Sequence, residues 1–189
     1  MQSVNFMKAV IVRHPITRLL SGYLDKIAQK RQYNRIPGLK KCIDSDSKAL
    51  TFAAFVKCLI EKHPVPERLD HHFRLQSTFC NLRTVIPDFL GKQSNLLNEF
   101  KEFGESLGFW EKYGATGWGP NGEHAFGEHS YQTRTHDSGS HIWEHYTEEL
   151  MMQVYHYYKE DFDRFGFSIE EMLATNPARS SETAPSLSK

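Results

Sequence analysis

Arg13 ends the apolar run of "VIVRHPITRLLSGY", residues 10–23, and an amphipathic pattern begins two residues later at Pro15. A strand that feeds a helix directly sets free first-turn amides and the positive end of the helix dipole beside the strand's last residue. That arrangement attracts an anion. Arg13 adds a planar cation suited to bidentate phosphate contact, and Ser21 adds a hydroxyl about 9 Å along the helix at ~1.5 Å per residue. His14 is a poor side-chain cap, which predicts first-turn donors left open for a ligand. The competing reading pairs Arg13 with a neighbouring acid and gives Ser21 only a place on the helix. Residue types alone do not name the anion.

Two histidine stretches offer further chemistry. In "DHHFRLQS", residues 70–77, a neutral His72 imidazole is suited to accept the proton of an attacking hydroxyl, with adjacent His71 as a competitor. Since the chain has 10 histidines, a plain surface role for either is the alternative. "HIWEH", residues 141–145, has the H-x-x-E-H form of a zinc hydrolase, with Glu144 as base. A helix start at Thr147 would leave that pattern outside the helix, and only 44 residues follow it to supply a third ligand. Cys42, Cys58 and Cys80 match no zinc spacing and form at most one bridge, so no metal site is assigned.

The elements that must hold these groups follow from periodicity. Residues 6–12 are nearly continuously apolar and predict a short strand buried on both faces of a parallel sheet. Ile16, Leu19, Leu20, Tyr23, Leu24 and Ile27 repeat at helical spacing, with Pro15 in the first turn, where no amide donor is needed. Residues 31–48 read as a loop around a Pro-Gly pair. Thr51 caps a second helix bearing Phe52, Phe55, Val56, Leu59 and Ile60. "TVIPDFLG" reads as a second strand, which Pro87 restricts to a sheet edge or a strand start. Leu96, Leu97, Phe100, Phe103 and Leu107 mark a third helix, residues 114–140 a long Gly- and His-rich loop, and Thr147 the cap of a last long helix. Residues 1–174 form one domain on this reading, and the Ser/Thr/Pro-rich residues 175–189 an unstructured tail.

Composition narrows the partners. Lys and Arg (23) balance Asp and Glu (23), so no global field favours nucleic acid. No apolar run reaches the ~20 residues that span a bilayer, and the first ten residues lack the zones of a signal peptide.

The motif "VRHPITRLLSGYLDK" resembles the 3′-phosphate-binding motif of the Golgi-type carbohydrate sulfotransferases, the family related to chondroitin, dermatan and HNK-1 sulfotransferases. The pattern Arg-x-Pro-x-x-Arg-x-x-Ser-x-Tyr is met at Arg13, Pro15, Arg18, Ser21 and Tyr23. "TFAAFV", "HHFRLQSTFC", "PDFLGKQSNL" and "YYKEDFDRFGF" follow in order, so the resemblance covers residues 6–167. It implies an α/β fold, a parallel sheet flanked by helices as in the P-loop nucleotide-kinase-like sulfotransferase fold. The implied activity is transfer of a sulfuryl group from 3′-phosphoadenosine 5′-phosphosulfate (PAPS) to a sugar hydroxyl of a glycan or proteoglycan, without a metal. Arg13 and Ser21 would hold the 3′-phosphate of this cofactor, and His72 would lie near the acceptor as the catalytic base. The implied location is the lumenal side of the Golgi membrane, reached through an anchor that this sequence does not contain.

Several features depart from the family pattern. No Gly-rich loop followed by lysine, of the kind that binds the 5′-phosphosulfate, occurs in the sequence, so the fold is expected to be N-terminally incomplete. Arg83 stands where relatives often carry a second cysteine, and Ser94 where a glutamate is common. In the family picture Arg134 and Ser138, in "RTHDSGSH", are candidate contacts to nucleotide or acceptor, and a plain solvated loop is the favoured alternative. An inactive fragment, or a remnant that binds nucleotide or glycan without transfer, is the alternative reading, ahead of a zinc hydrolase.

Overall fold

β-Branched Val10, Ile11 and Val12 suit extended backbone, and Ala9–Val12 forms strand β1. The computed structural model describes residues 6–29, 36, 39–42, 50–114 and 141–182. β1 pairs in parallel with β2, Phe89–Lys92, in the register Ala9↔Phe89 to Val12↔Lys92. Pro87 precedes β2, where its missing amide costs no ladder bond.

The expectation of a first strand buried on both faces is corrected. Phe6 is 82% exposed and Ile11 40%, while Val12 is buried against Leu82 and Phe165. Among the described residues the sheet has two strands, so β1 gains cover on one side only.

Helices make up most of the rest. Pro15–Tyr23 forms α1, and the backbone widens into a π-helical turn over Leu24–Gln29 that still buries Ile27. Phe52–Lys62 forms α2, with the Thr51 hydroxyl accepting from the Ala54 amide at 3.3 Å. Leu96–Ser106 forms α3, and Ile142–His145 a single-turn α4. The last long helix expected after Thr147 is broken: α5 spans Glu148–Tyr157, Tyr158 leaves helical geometry, and α6 resumes over Lys159–Phe165. Gly166 then takes a left-handed conformation (φ 61°) that ends α6, and Ile169–Ala174 forms α7.

Apolar stripes of α1 (Ile16, Leu19, Leu20), α2 (Phe55, Val56, Leu59) and α5 (Met151, Val154) meet in one core. Each fully buried side chain of this kind contributes about 1.5–3 kcal/mol. A Cys42–Cys58 disulfide ties the short turn Leu39–Cys42 to α2, and Cys80 is exposed and free. The tail expected to be unstructured from residue 175 is helical over Pro177–Glu182 (α8). There Arg179 Nε donates to Glu148 Oε1 at 2.7 Å. No described helix is long and apolar enough to cross a membrane. Most of the 114–140 loop, with Arg134 and Ser138, and residues 183–189 lie outside the described residues.

Candidate functional site

Parallel strands deliver their carboxyl ends to one edge of a sheet, where α/β proteins place ligands. Here Arg13 follows β1 and Gln93 follows β2, and both line a pocket of about 390 Å³. Ser21, His71 and His72 line the same pocket, so the structure brings Arg13, Ser21 and His72 together across more than fifty residues of sequence.

Gln76 fixes where Arg13 sits. Its side chain accepts from the Arg13 amide at 2.9 Å and donates to the Arg13 carbonyl at 2.8 Å, as a neighbouring strand would. Gln76 is held in turn by Asp161, whose carboxylate accepts from the Gln76 amide at 2.7 Å and the Ser77 amide at 2.9 Å. Asp161 is fully buried, and burial pushes its carboxyl above the usual range despite these bonds.

α1 carries the other wall. Arg18 donates to the carbonyls of Arg74 (2.7 Å) and His71 (2.9 Å), tying the 70–74 turn to the helix. Gly22 lets that turn approach, because a Cβ there would lie 2.8 Å from Phe73 Cε1. Tyr158 closes the turn from the far side by donating to the Phe73 carbonyl at 2.6 Å.

Burial, then the charge of nearby Arg18, lowers the proton affinity of the Arg13 guanidinium. Arg18 is also depressed, by burial first. Two desolvated cations lining one pocket are stabilised by an anion between them. The Ser21 hydroxyl adds a hydrogen-bonding group, and Asp25 brings one carboxylate, paired with Lys26 at 2.7 Å.

The expectation that His14 leaves the first turn open is corrected. Its Nδ1 accepts from the Ile16 amide at 3.2 Å, so it is a side-chain cap. The Nε2–H donates to the Ser168 carbonyl at 3.4 Å, and the ring meets Phe162 and Phe167 edge-on at 5.1 and 5.0 Å. Burial, opposed by the Ser168 bond and helped by Lys92, lowers the His14 pKa to about 4. Any anion at this helix start therefore relies on Arg13 and the dipole more than on a full set of amides.

His72 sits beside Asp70. Oδ1 of Asp70 accepts from the His72 amide at 3.0 Å and from the His72 ring at Nδ1, while His71 Nδ1 lies 3.4 Å from Oδ2. Burial would raise the Asp70 carboxyl, but the His72 amide and ring bonds and both histidines' charges bring it below its usual value. These three are the group of potential metal-ligating side chains found among the described residues, with ligand atoms within 4.8 Å of one another. "HIWEH" does not assemble in this way. His141 pairs with Glu144 at 2.7 Å, and His145 packs against Phe52 and Tyr23 beside a separate groove lined by Lys57 and Glu149.

Gln76, Asp161, Arg18 and Gly22 are contributors that the sequence reading did not single out for these roles. Each acts through a main-chain bond or a close approach to a distant segment, which leaves no periodic signal. Arg83 and Ser94 can also be placed. Arg83 bridges Glu67 (2.6 Å) and Glu160 (2.5 Å) on the surface, and Ser94 is exposed and outside the pocket lining.

Residues 1–168 match the profile described as "Sulfotransferase family". Carbohydrate sulfotransferase 11 of Rattus norvegicus is 25% identical over 183 residues, covering 89% of this chain and 49% of that protein. The Mus musculus protein of the same name is 26% identical over the same span. Carbohydrate sulfotransferase 14 of Danio rerio is 27% identical over 114 residues, 55% of this chain and 30% of that protein. The chain thus spans about half the length of the first two and less of the third. No solved structure matches it significantly.

Proposed function

The chain belongs to the sulfotransferase family, and on that premise we propose that it serves transfer of a sulfuryl group from PAPS to a sugar hydroxyl of a glycan, with Arg13 and Ser21 holding the donor's 3′-phosphate. One observation carries this reading: a single pocket at the carboxyl ends of two parallel strands is lined by Arg13, Arg18, Ser21 and His72. The residue types fit a phosphate, since two partly desolvated arginines, Arg13 and Arg18, and Ser21 all line the pocket.

When bound, the donor supplies an activated sulfuryl group with a bisphosphate as leaving group. The chain's own residues bind and orient. Gln76 sets the Arg13 backbone, Arg18 keeps the 70–74 turn against α1, and His72 offers an imidazole to hold the proton released by an acceptor hydroxyl. The glycan acceptor is supported by the names of the relatives. The lumenal Golgi setting that the family resemblance implies is in keeping with the Cys42–Cys58 bridge, which suits an oxidising compartment.

Calorimetric titration with adenosine 3′,5′-bisphosphate tests the pocket. Arg13→Ala should weaken binding by about 1.5–3 kcal/mol, roughly 10- to 150-fold, the scale of a lost charge-assisted bond. Equal affinity of the variant and the unaltered chain would refute the assignment. Binding without sulfuryl transfer would leave a nucleotide-binding protein.

A further inference from the structure

We propose that Asp70 is the positioning residue for His72: it holds Nδ1 protonated and turns the imidazole so that Nε2 takes the acceptor's proton. The inference deepens the reading above and rests on it for the identity of the reaction.

Geometry carries it. A single carboxylate oxygen, Asp70 Oδ1, accepts both from the His72 main-chain amide and from the His72 ring at Nδ1. The first bond fixes where the residue's backbone sits and the second fixes how its ring is rotated, so one atom defines the whole side chain. A carboxylate accepts only, so the nitrogen facing it is the one that carries hydrogen. Nε2 is left as the basic nitrogen of a residue that lines the pocket shared with Arg13 and Ser21. The His72 side chain is 31% exposed against 15% for that of Asp70, the order expected when a less accessible group orients a reachable one.

The surroundings make the pair rigid. The Asp70 carbonyl accepts from the Phe73 and Arg74 amides, both at 2.9 Å, closing the turn on itself. Arg18 holds that turn at the His71 and Arg74 carbonyls, and buried Phe73 anchors it in the core. His71 lies with its ring centroid 3.9 Å from that of His72, covering one face and limiting rotation. A carboxyl held below its usual value stays ionised and also stabilises the imidazolium that forms.

The step balances. The hydroxyl proton passes to His72 Nε2 as the hydroxyl oxygen bonds to sulfur. The bond between sulfur and the bridging phosphate oxygen breaks, and its electron pair departs with the bisphosphate. Nothing is oxidised or reduced, and the proton leaves His72 to solvent afterwards.

Long-range nitrogen–proton NMR on the unaltered chain at mildly alkaline pH reads the tautomer directly. Nδ1–H is expected at His72, and an Nε2–H tautomer overturns the proposal without any variant having to fold. Asp70→Asn should lose the fixed tautomer and lower kcat at least tenfold, while KM for donor and acceptor stays within twofold. Asp70→Glu should recover part of kcat, which a merely structural role would not give. Unchanged kcat in a folded Asp70→Asn chain overturns the proposal. So does zinc or manganese bound through His72 Nδ1, which would make that nitrogen a ligand instead of a donor. Failure of the unaltered chain to bind adenosine 3′,5′-bisphosphate refutes the donor-pocket reading alone, because the tautomer measurement does not depend on it.

Discussion

Acidification should loosen the junction between β1 and α1, and His14 is the group responsible. In the folded chain its pKa is lowered to about 4 by burial, whereas the unfolded chain restores the ordinary 6.5. Above pH 6.5 neither state holds the proton, so the stabilising contribution is complete. Between these two values the unfolded state binds more protons, and stability falls as pH falls. Below about pH 4 both states are protonated and the contribution is gone. At about 1.4 kcal/mol per pH unit, the gap corresponds to about 3 kcal/mol, a large share of a typical 5–15 kcal/mol domain stability. The physical origin is specific: a second ring proton would remove the acceptor for the Ile16 amide and place a cation between Phe162 and Phe167 near Lys92. Urea unfolding of the unaltered chain and His14→Asn between pH 7 and 4 measures it. Asparagine keeps a capping oxygen and does not titrate. The unaltered chain should lose about 3 kcal/mol more than the variant over that range. Parallel pH profiles would refute the reasoning, because carboxylates common to both chains cancel in the difference.

Two further substitutions probe the scaffold. Asp161→Ala removes the acceptor for the buried Gln76 and Ser77 amides and should cost about 3 kcal/mol, at about 1–3 kcal/mol for each orphaned donor, as read by denaturant unfolding. Asp161→Asn keeps one acceptor oxygen and should cost less, and a loss under about 1 kcal/mol for the alanine variant would show that Asp161 is not the support of the Gln76 clamp. Gly22→Ala sets a Cβ 2.8 Å from Phe73 Cε1, an overpacking penalty of about 1–3 kcal/mol offset by up to about 1 kcal/mol of helix propensity. Phe73→Leu should remove much of that penalty, so a double-mutant cycle in which the two changes simply add would count against the close approach.

Local rules made parts of the fold legible. The stripe Ile16, Leu19, Leu20 and Tyr23 is buried as its spacing requires, and Thr51 and Thr147 cap the helices that they precede. Pro87 set the start of β2 because a residue without an amide cannot sit within the ladder. The misreadings share a cause. Tyr158 continues a helical pattern in the sequence, yet its hydroxyl reaches the Phe73 carbonyl and its backbone leaves helical geometry between α5 and α6. His14 looks like a poor cap, yet the carbonyl of Ser168, 154 residues away, accepts from Nε2 and frees Nδ1 to receive the Ile16 amide.

The same distinction divides the candidate site. Arg13, Ser21 and His72 could be nominated from the sequence because the chemistry proposed for them is carried by the residue type itself, and all three line one pocket. What positions them was not, since Gln76, Asp161 and Asp70 act by hydrogen-bonding main chain at fixed points. Two of the motifs take part in these positioning bonds. "HHFRLQSTFC" supplies both the 70–74 turn and the Gln76 clamp, and "YYKEDFDRFGF" supplies Tyr158 and Asp161, which hold that turn and that clamp. The chain of bonds from Asp161 through Gln76 holds the Arg13 backbone, and the phosphate contact proposed for Arg13 depends on it. Asp161→Ala should therefore weaken adenosine 3′,5′-bisphosphate binding as well as stability, although nothing places Asp161 in the pocket lining.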